Sequence, residues 1–186
     1  MKLNLVAAPS NNFGERKDIV QFIIIHATGT KNLQETLDVL EKRCVSAHYV
    51  IDKDGTIYGL VDPDKRAWHA GISDWNGYCA KTGLKGLNDA SIGIELQSAA
   101  KGRLANEEVC KFDNFSNEQI MSCIELCKRL MRAYNIKLGH VLRHSDIAPN
   151  RKFDPGETFP WEIFKQMLAK SISPKSSKLI NKQKSE

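Results

Sequence analysis

Residues 143–156 read RHSDIAPNRKFDPG, and the rest of the chain is organised around this stretch. Proline removes a backbone donor and disfavours helix in the residue before it, so the sequence predicts a loop with a rigid backbone. Three polar side chains project from this loop, those of His144, Lys152 and Asp154. A preformed site requires its side chains to stand on a fixed backbone. We therefore expect the loop to supply part of a functional site.

Two apolar segments upstream have the pattern of buried strands. Residues 22–25 are a mostly β-branched run, typical of a central strand, and we expect His26 to end it at the rim of a sheet, where α/β proteins place their sites. In SIGIELQ, residues 91–97, Glu95 shares a face with Gly93, opposite the isoleucines. A buried glutamate is costly unless it is paired or close to a metal. A structural histidine at position 26 and a salt bridge at Glu95 are the open alternatives.

The remaining periodicity predicts the flanking elements. An apolar face repeats at helical spacing from Asn32 to Cys44, and residues 46–62 alternate around a DKDG turn, as in a hairpin. A capping box of Ser116 and Gln119 opens the longest helix, and residues 159–168 form the last one. The sequence therefore predicts an α/β fold, a single domain in which helices flank a mixed central β-sheet.

Length and charge limit the organisation of the chain. Its 186 residues are enough for one domain, which we place at 20–168, between an irregular arm at 1–19 and a basic, disordered tail at 169–186. Much of the net charge of +5 lies in that tail. A polyanion-binding arm is the alternative interpretation of the tail, but no basic stripe accompanies it on the body. We therefore expect no nucleic-acid partner.

Cysteine content and hydropathy bear on the compartment. The 5 cysteines include no C-x-x-C pair, and the odd number leaves a free thiol, which favours a reducing environment. No apolar stretch is long enough to span a membrane, and the first residues lack the apolar core of a signal peptide. We expect a cytoplasmic monomer. A periplasmic location is the alternative if an export signal has been removed.

The polar residues at the strand ends and on the 143–156 loop match a metal site. His26, His144 and Asp154 form a nitrogen, nitrogen and oxygen ligand set, and three protein ligands are typical of catalytic zinc, whereas structural zinc is closed by four. Zinc lowers the pKa of a bound water from about 15.7 to about 7. Lys152 lies two residues before Asp154, so an extended segment would turn its ammonium toward the metal, unless it is an ordinary surface lysine. Glu95 is the candidate general base.

Five motifs occur in one order over residues 20–165, namely IIIHATGT, VSAHYVIDKDGTI, RAWHAGIS, LNDASIGIEL and HSDIAPNRKFDPG. In these motifs the chain resembles the bacterial zinc N-acetylmuramoyl-L-alanine amidases of the AmpD and AmiD type. That family shares its fold with phage lysozyme-type amidases and peptidoglycan recognition proteins. The resemblance implies hydrolysis of the amide between N-acetylmuramic acid, intact or 1,6-anhydro, and L-alanine of the stem peptide, so peptidoglycan fragments are the expected substrate.

The resemblance also implies roles for individual residues. It makes His26, His144 and Asp154 the ligands of one Zn²⁺, with Glu95 as catalytic carboxylate and Lys152 assisting it. Asp154 stands where the phage branch carries cysteine, which fits the AmpD and AmiD branch. Residues near the motifs are candidates for substrate contact, although buried anchoring rings are an alternative for the aromatic ones: Trp68, His69, His48 and Asn88.

Two rival functions remain at this stage. A peptidoglycan-binding protein of the same fold would recognise muropeptides without cleaving them, and we would expect it to lack a complete ligand set. A zinc hydrolase acting on another amide is the second rival, opposed only by the resemblance. His140 and Asp146 lie near the motifs but match no ligand, and we expect Asp146 to orient an imidazole.

Overall fold

The computed structural model describes residues 2–103 and 110–170. The expected tail therefore lies outside the described residues from position 171 onward, and its disorder stays a prediction. The described strands are β1 Leu5–Ala7, β2 Phe13–Glu15, β3 Phe22–Gly29, β4 Tyr49–Ile51, β5 Ile57–Gly59, β6 Lys65–Ala67, β7 Ser91–Arg103, β8 Cys110–Phe112 and β9 Val141–Arg143. The described α-helices are α1 Leu33–Lys42, α2 Tyr78–Thr82, α3 Asn117–Ala133, α4 His144–Ile147 and α5 Trp161–Ala169.

The central sheet is mixed and has the strand order β1-β5-β4-β7-β3-β9, with β8 paired to β7. Strand β3 lies between β7 and β9 and is parallel to both, whereas β4 and β5 form the antiparallel hairpin that the sequence predicted. A separate two-stranded sheet joins β2 to β6. The expected α/β class with a mixed central sheet is confirmed.

The two faces of the sheet carry different layers because side chains alternate along each strand. Ile23 and Ile25 of β3 face helices α3 and α5, together with Ile92 and Ile94 of β7, in the largest buried apolar cluster. Ile24 faces the other way, in a second cluster with Leu87, Leu142 and Ile147, on the side of the sheet that α2 and α4 cover. Helix α1 covers the hairpin on this second face. His26 of β3 and Glu95 of β7 also point toward it.

Four local predictions need correction. The arm at 1–19 is not irregular throughout, because β1 and β2 hydrogen-bond to β5 and β6. Strand β3 does not end at His26 but continues to Gly29. The stretch after β9 is not loop throughout, since His144–Ile147 make one helical turn. The glycines at 77, 83 and 86 predict a long loop over residues 76–90, but this segment contains α2 and a 3₁₀ turn at Leu87–Asp89.

The longest helix, α3, begins as the sequence predicts. The Ser116 hydroxyl accepts a hydrogen bond from the Gln119 amide, and the Gln119 side chain accepts one from the Ser116 amide. The Ser116 hydroxyl also donates to the Lys53 carbonyl, and the Gln119 amide group donates to the carbonyls of Ile51 and Gln97. The cap therefore ties the helix to both β4 and β7.

Replacing Ser116 by alanine should lower the free energy of unfolding by about 1–2 kcal/mol, because it removes the cap and one tie to the β4–β5 turn. Urea unfolding followed by circular dichroism measures this change. Arg132→Ala, an exposed change in the last turn of α3, is the matched control and should stay within about 0.5 kcal/mol of wild type. Equal stability of the two variants would contradict the capping role.

Candidate metal centre and active site

Three buried polar side chains converge on the second face of the sheet. Nδ1 of His26 lies 2.9 Å from Nδ1 of His144 and 3.1 Å from Oδ2 of Asp154, and the distance between His144 Nδ1 and Asp154 Oδ2 is 3.1 Å. These groups come from β3, from the first residue of α4 after β9, and from the segment that follows α4. The structure thus brings together the three residues that the sequence proposed as metal ligands, with one donor atom from each within 4.8 Å of the others.

The surroundings of this cluster leave its electron pairs free for a cation. Nε2 of His144 lies 3.2 Å from the Ala70 carbonyl, which can only accept, so Nε2 carries the proton and Nδ1 presents a lone pair. Asp154 adds a carboxylate oxygen at the same point. Burial, assisted by the neighbouring His144, lowers the pKa of His26 to about 4 and keeps it neutral at pH 7. Converging acceptors in a buried site suit a divalent ion.

Glu95 lies beside the cluster because its backbone pairs with that of His26 across β7 and β3. Among the residues that the structure describes, Oε2 of Glu95 has no hydrogen-bond partner although it is buried. Burial, and then the charge of Asp154, raises the pKa of Glu95 to about 8, while Lys152 acts in the opposite direction. The expected alternative of a structural salt bridge finds no support in these contacts. An orphaned buried carboxylate next to a ligand cluster has the features of a functional group.

A pocket of about 180 Å³ opens onto this group of residues. Lys152 is half-buried and lines the pocket together with Glu95 and the three cluster residues, so it is not a solvated surface lysine. The other end of the pocket is bordered by α1 and the segment after β3. Its wall combines hydroxyl and apolar side chains, including Thr28, Thr30, Val45 and Trp68.

The four expected substrate contacts divide into two groups. Trp68 and His69 line the pocket, so contact with a substrate stays a prediction for them. His48 is fully buried, with Nδ1 accepting from the Gly93 amide and Nε2 lying 3.0 Å from the Lys65 carbonyl. Asn88 uses its side-chain oxygen to accept from the amides of His69 and Ala70. Both side chains therefore brace the protein. His48 has no exposed surface to offer a substrate, whereas substrate contact by the half-buried Asn88 stays a prediction.

Two other polar residues near the motifs lie outside the cluster, and one of them, Asp146, differs from expectation. Asp146 does not orient an imidazole, since its carboxylate accepts from the amide and guanidinium of Arg143. His140 stacks on Phe22 and lies near the Gln21 carbonyl, away from the cluster. The sequence reasoning missed Ser91, whose hydroxyl lies 3.2 Å from His69 Nε2. Its position two residues before Gly93, on the face of Glu95, was the available signal.

The sequence is similar to known proteins of a single family. The profile of the N-acetylmuramoyl-L-alanine amidase family, Amidase_2, matches residues 15–157. The chain is 37% identical over 154 residues to N-acetylmuramoyl-L-alanine amidase AmiD of Escherichia coli K12, covering 79% of this chain and 52% of AmiD. It is 36% identical over 129 residues to the 1,6-anhydro-N-acetylmuramyl-L-alanine amidase AmpD of the same strain, covering 69% and 61%. The chain thus spans about half to three fifths of the length of these curated relatives.

Solved structures give the same result. E. coli AmiD, in complex with the substrate anhydro-N-acetylmuramic acid-L-Ala-D-gamma-Glu-L-Lys, matches with a TM-score of 0.69 at 36% identity, over 80% of this chain and 57% of that chain. AMPDH3 of Pseudomonas aeruginosa, in complex with anhydromuramic pentapeptide, matches with a TM-score of 0.69 at 31% identity, over 80% and 59%. The resemblance seen in the sequence motifs is confirmed, and the chain belongs to the N-acetylmuramoyl-L-alanine amidase family.

Proposed function

We propose that this protein is a zinc-dependent amidase that hydrolyses the bond between N-acetylmuramic acid, in particular its 1,6-anhydro form, and L-alanine of the peptidoglycan stem peptide. The observation that carries the proposal is the convergence of His26, His144 and Asp154 beside the unpaired Glu95 at a pocket. The relatives with anhydromuramic ligands support this choice of substrate. The reaction belongs to cell-wall turnover or recycling.

The ligand cluster fits one Zn²⁺. Two imidazoles and one carboxylate are the composition of open catalytic zinc sites, which leave a coordination position for solvent or substrate. When bound, zinc supplies a Lewis acid for the lactyl carbonyl and acidifies water. His26, His144 and Asp154 would hold it, and their burial excludes bulk solvent from all but the pocket side.

Glu95 and Lys152 perform the proton and charge steps. Glu95 accepts the proton of the attacking water and returns it to the alanine nitrogen when the C–N bond breaks. Its pKa is about 8 in the metal-free protein, so Glu95 would accept a proton near pH 7 only after a bound cation has lowered that pKa. Lys152 lines the same pocket, and its ammonium stabilises the oxyanion that develops on the lactyl oxygen.

Glu95 also favours catalysis over a purely binding role. A protein that only bound muropeptides would have no use for a buried carboxylate without a hydrogen-bond partner, because such a group opposes folding.

Among residues 2–103 and 110–170, no helix is long and apolar enough to cross a bilayer. The cytoplasmic location and the monomeric state stay predictions, which cell fractionation and light scattering test.

Incubation with a defined anhydro-muropeptide should release the free stem peptide, identified by mass, and a chelator should abolish the release.

Glu95→Gln should lower kcat by about 100-fold or more while zinc stays bound, because the proton acceptor is lost. Glu41→Gln, an exposed change on α1, is the control and should retain wild-type kcat. Normal turnover by zinc-loaded Glu95→Gln would refute the proposed base, and release unaffected by the chelator would refute the zinc mechanism.

Asp154→Ala should reduce the bound zinc from about one ion per chain to a small fraction after dialysis, because it removes the only anionic ligand of the cluster. Elemental analysis of the dialysed protein measures the content. His140→Ala removes a histidine outside the cluster and should keep full occupancy. Equal zinc in the two variants would place the metal elsewhere.

The pKa of Glu95 predicts how the stability of the zinc-free protein changes with pH. The folded state holds the Glu95 proton up to about pH 8, whereas the unfolded chain loses it near pH 4.3, so this group lowers the free energy of unfolding as pH rises between these values. Zinc-free Glu95→Gln should therefore have a higher Tm than wild type at pH 8 and a similar Tm at pH 4. Calorimetry measures both. Glu41→Gln should show no such pH-dependent difference in Tm. If Glu95→Gln also showed no Tm difference from wild type at pH 8, the raised pKa of Glu95 would be contradicted.

A further inference from the structure

His26 is linked to the protein interior through a second histidine. Its Nε2, the ring nitrogen that faces away from the ligand cluster, lies 3.0 Å from Nδ1 of His69. On its other side, Nε2 of His69 lies 3.2 Å from the hydroxyl of Ser91, which lies 2.6 Å from the Leu87 carbonyl. Four groups thus follow one another from the main chain to the candidate metal ligand.

The positions of the protons in this chain follow from its far end. The Leu87 carbonyl can only accept, so the single hydroxyl proton of Ser91 points to it. The Ser91 oxygen must then accept from His69 Nε2, and a neutral His69 has a bare Nδ1. That bare nitrogen accepts from His26 Nε2, which leaves a lone pair on His26 Nδ1, the atom that faces His144 and Asp154.

We propose that His69 and Ser91 are positioning residues that hold His26 in the tautomer able to bind zinc through Nδ1. The inference rests on the proposed zinc site and deepens it. Metal-bound histidines usually donate their second N–H to a carboxylate or a main-chain carbonyl, as His144 does to Ala70. For His26 the acceptor is another imidazole, whose own proton is directed by Ser91.

The choice of acceptor affects the charge of the site. A carboxylate acceptor would add a second negative charge beside Asp154, whereas neutral His69 orients His26 without adding any. A dication bound by His26, His144 and Asp154 would therefore keep a net positive charge over the ion and its three ligands, which would help to polarise a substrate carbonyl.

The backbone around His69 is built to hold its ring in place. Asn88 accepts from the His69 amide, and a Cβ on Gly93 would lie 2.4 Å from His69 Cγ, so only glycine leaves room for the ring on β7. His48 in turn accepts from the Gly93 amide and fixes that strand position. Asn88 and His48 therefore both support the ring that orients His26.

Zinc affinity, measured by competition with a chromophoric chelator, tests the proposal independently of turnover. His69→Ala should weaken zinc binding by about 10–100-fold, and Ser91→Ala should weaken it less. His69→Asn places an amide oxygen near the position of Nδ1 and should restore part of the loss. Ser98→Ala is the matched control, because Ser98 is also buried on β7 and donates to a main-chain carbonyl, but away from the cluster.

A spectroscopic readout separates proton ordering from general packing. In ¹⁵N-labelled, zinc-loaded protein, the His26 imidazole should show a protonated Nε2 with slow solvent exchange, and exchange should accelerate in His69→Ala and Ser91→Ala but not in Ser98→Ala. If wild type binds zinc and His69→Ala and Ser91→Ala bind it equally well, the proposal is wrong although the zinc site stands. Equal weakening in Ser98→Ala would also overturn it, and failure of wild type to bind zinc would defeat the zinc site itself.

Discussion

The parallel pairing of β3 with β7 is the constraint on which the active site depends. It places His26 opposite Glu95, and β9 on the other side of β3 leads directly into His144. The register is held by Ile23 and Ile25, which face α3 and α5 in the main core. A slip of one residue would turn His26 into that core and the isoleucines into the pocket, because side chains alternate along a strand. Packing on one face therefore fixes the chemistry on the other.

The proposed chemistry requires two buried carboxylates, Glu95 and Asp154, to be ionised side by side, which is unfavourable without a cation. Glu95 and Asp154 approach each other in a site where burial penalises both, and the pKa of Glu95, about 8, reflects this penalty. Lys152 offsets part of the repulsion from the pocket side. A bound dication would offset the rest, so metal binding and the stability of this region would be coupled. The buried Glu95 would then be less unfavourable with a cation bound than without one.

The sequence predicted the parts of the site that depend on alternation and local chemistry. The face shared by Gly93 and Glu95 followed from the two-residue period of β7, and the capping box of α3 from the spacing of Ser116 and Gln119. The strands β1 and β2 were missed because segments of three residues form only through their distant partners. The bracing roles of His48 and Asn88 were missed for the same reason. Which ring nitrogen or amide a side chain meets is decided by segments far away in the sequence.

The two histidines of the candidate metal centre share one support even though they come from different elements, β3 and α4. The ring of His69 orients His26, and the carbonyl of Ala70 orients His144. Ala70 directly follows His69 in the sequence. Asn88 accepts from both amides of this pair, so a single side chain holds the two acceptors in a fixed relation. Rotation of the segment would displace both imidazoles together and would preserve their mutual geometry better than independent anchors would. Residues 68–71 thus support the candidate metal site through their peptide groups, while the rings of Trp68 and His69 line the pocket beside it.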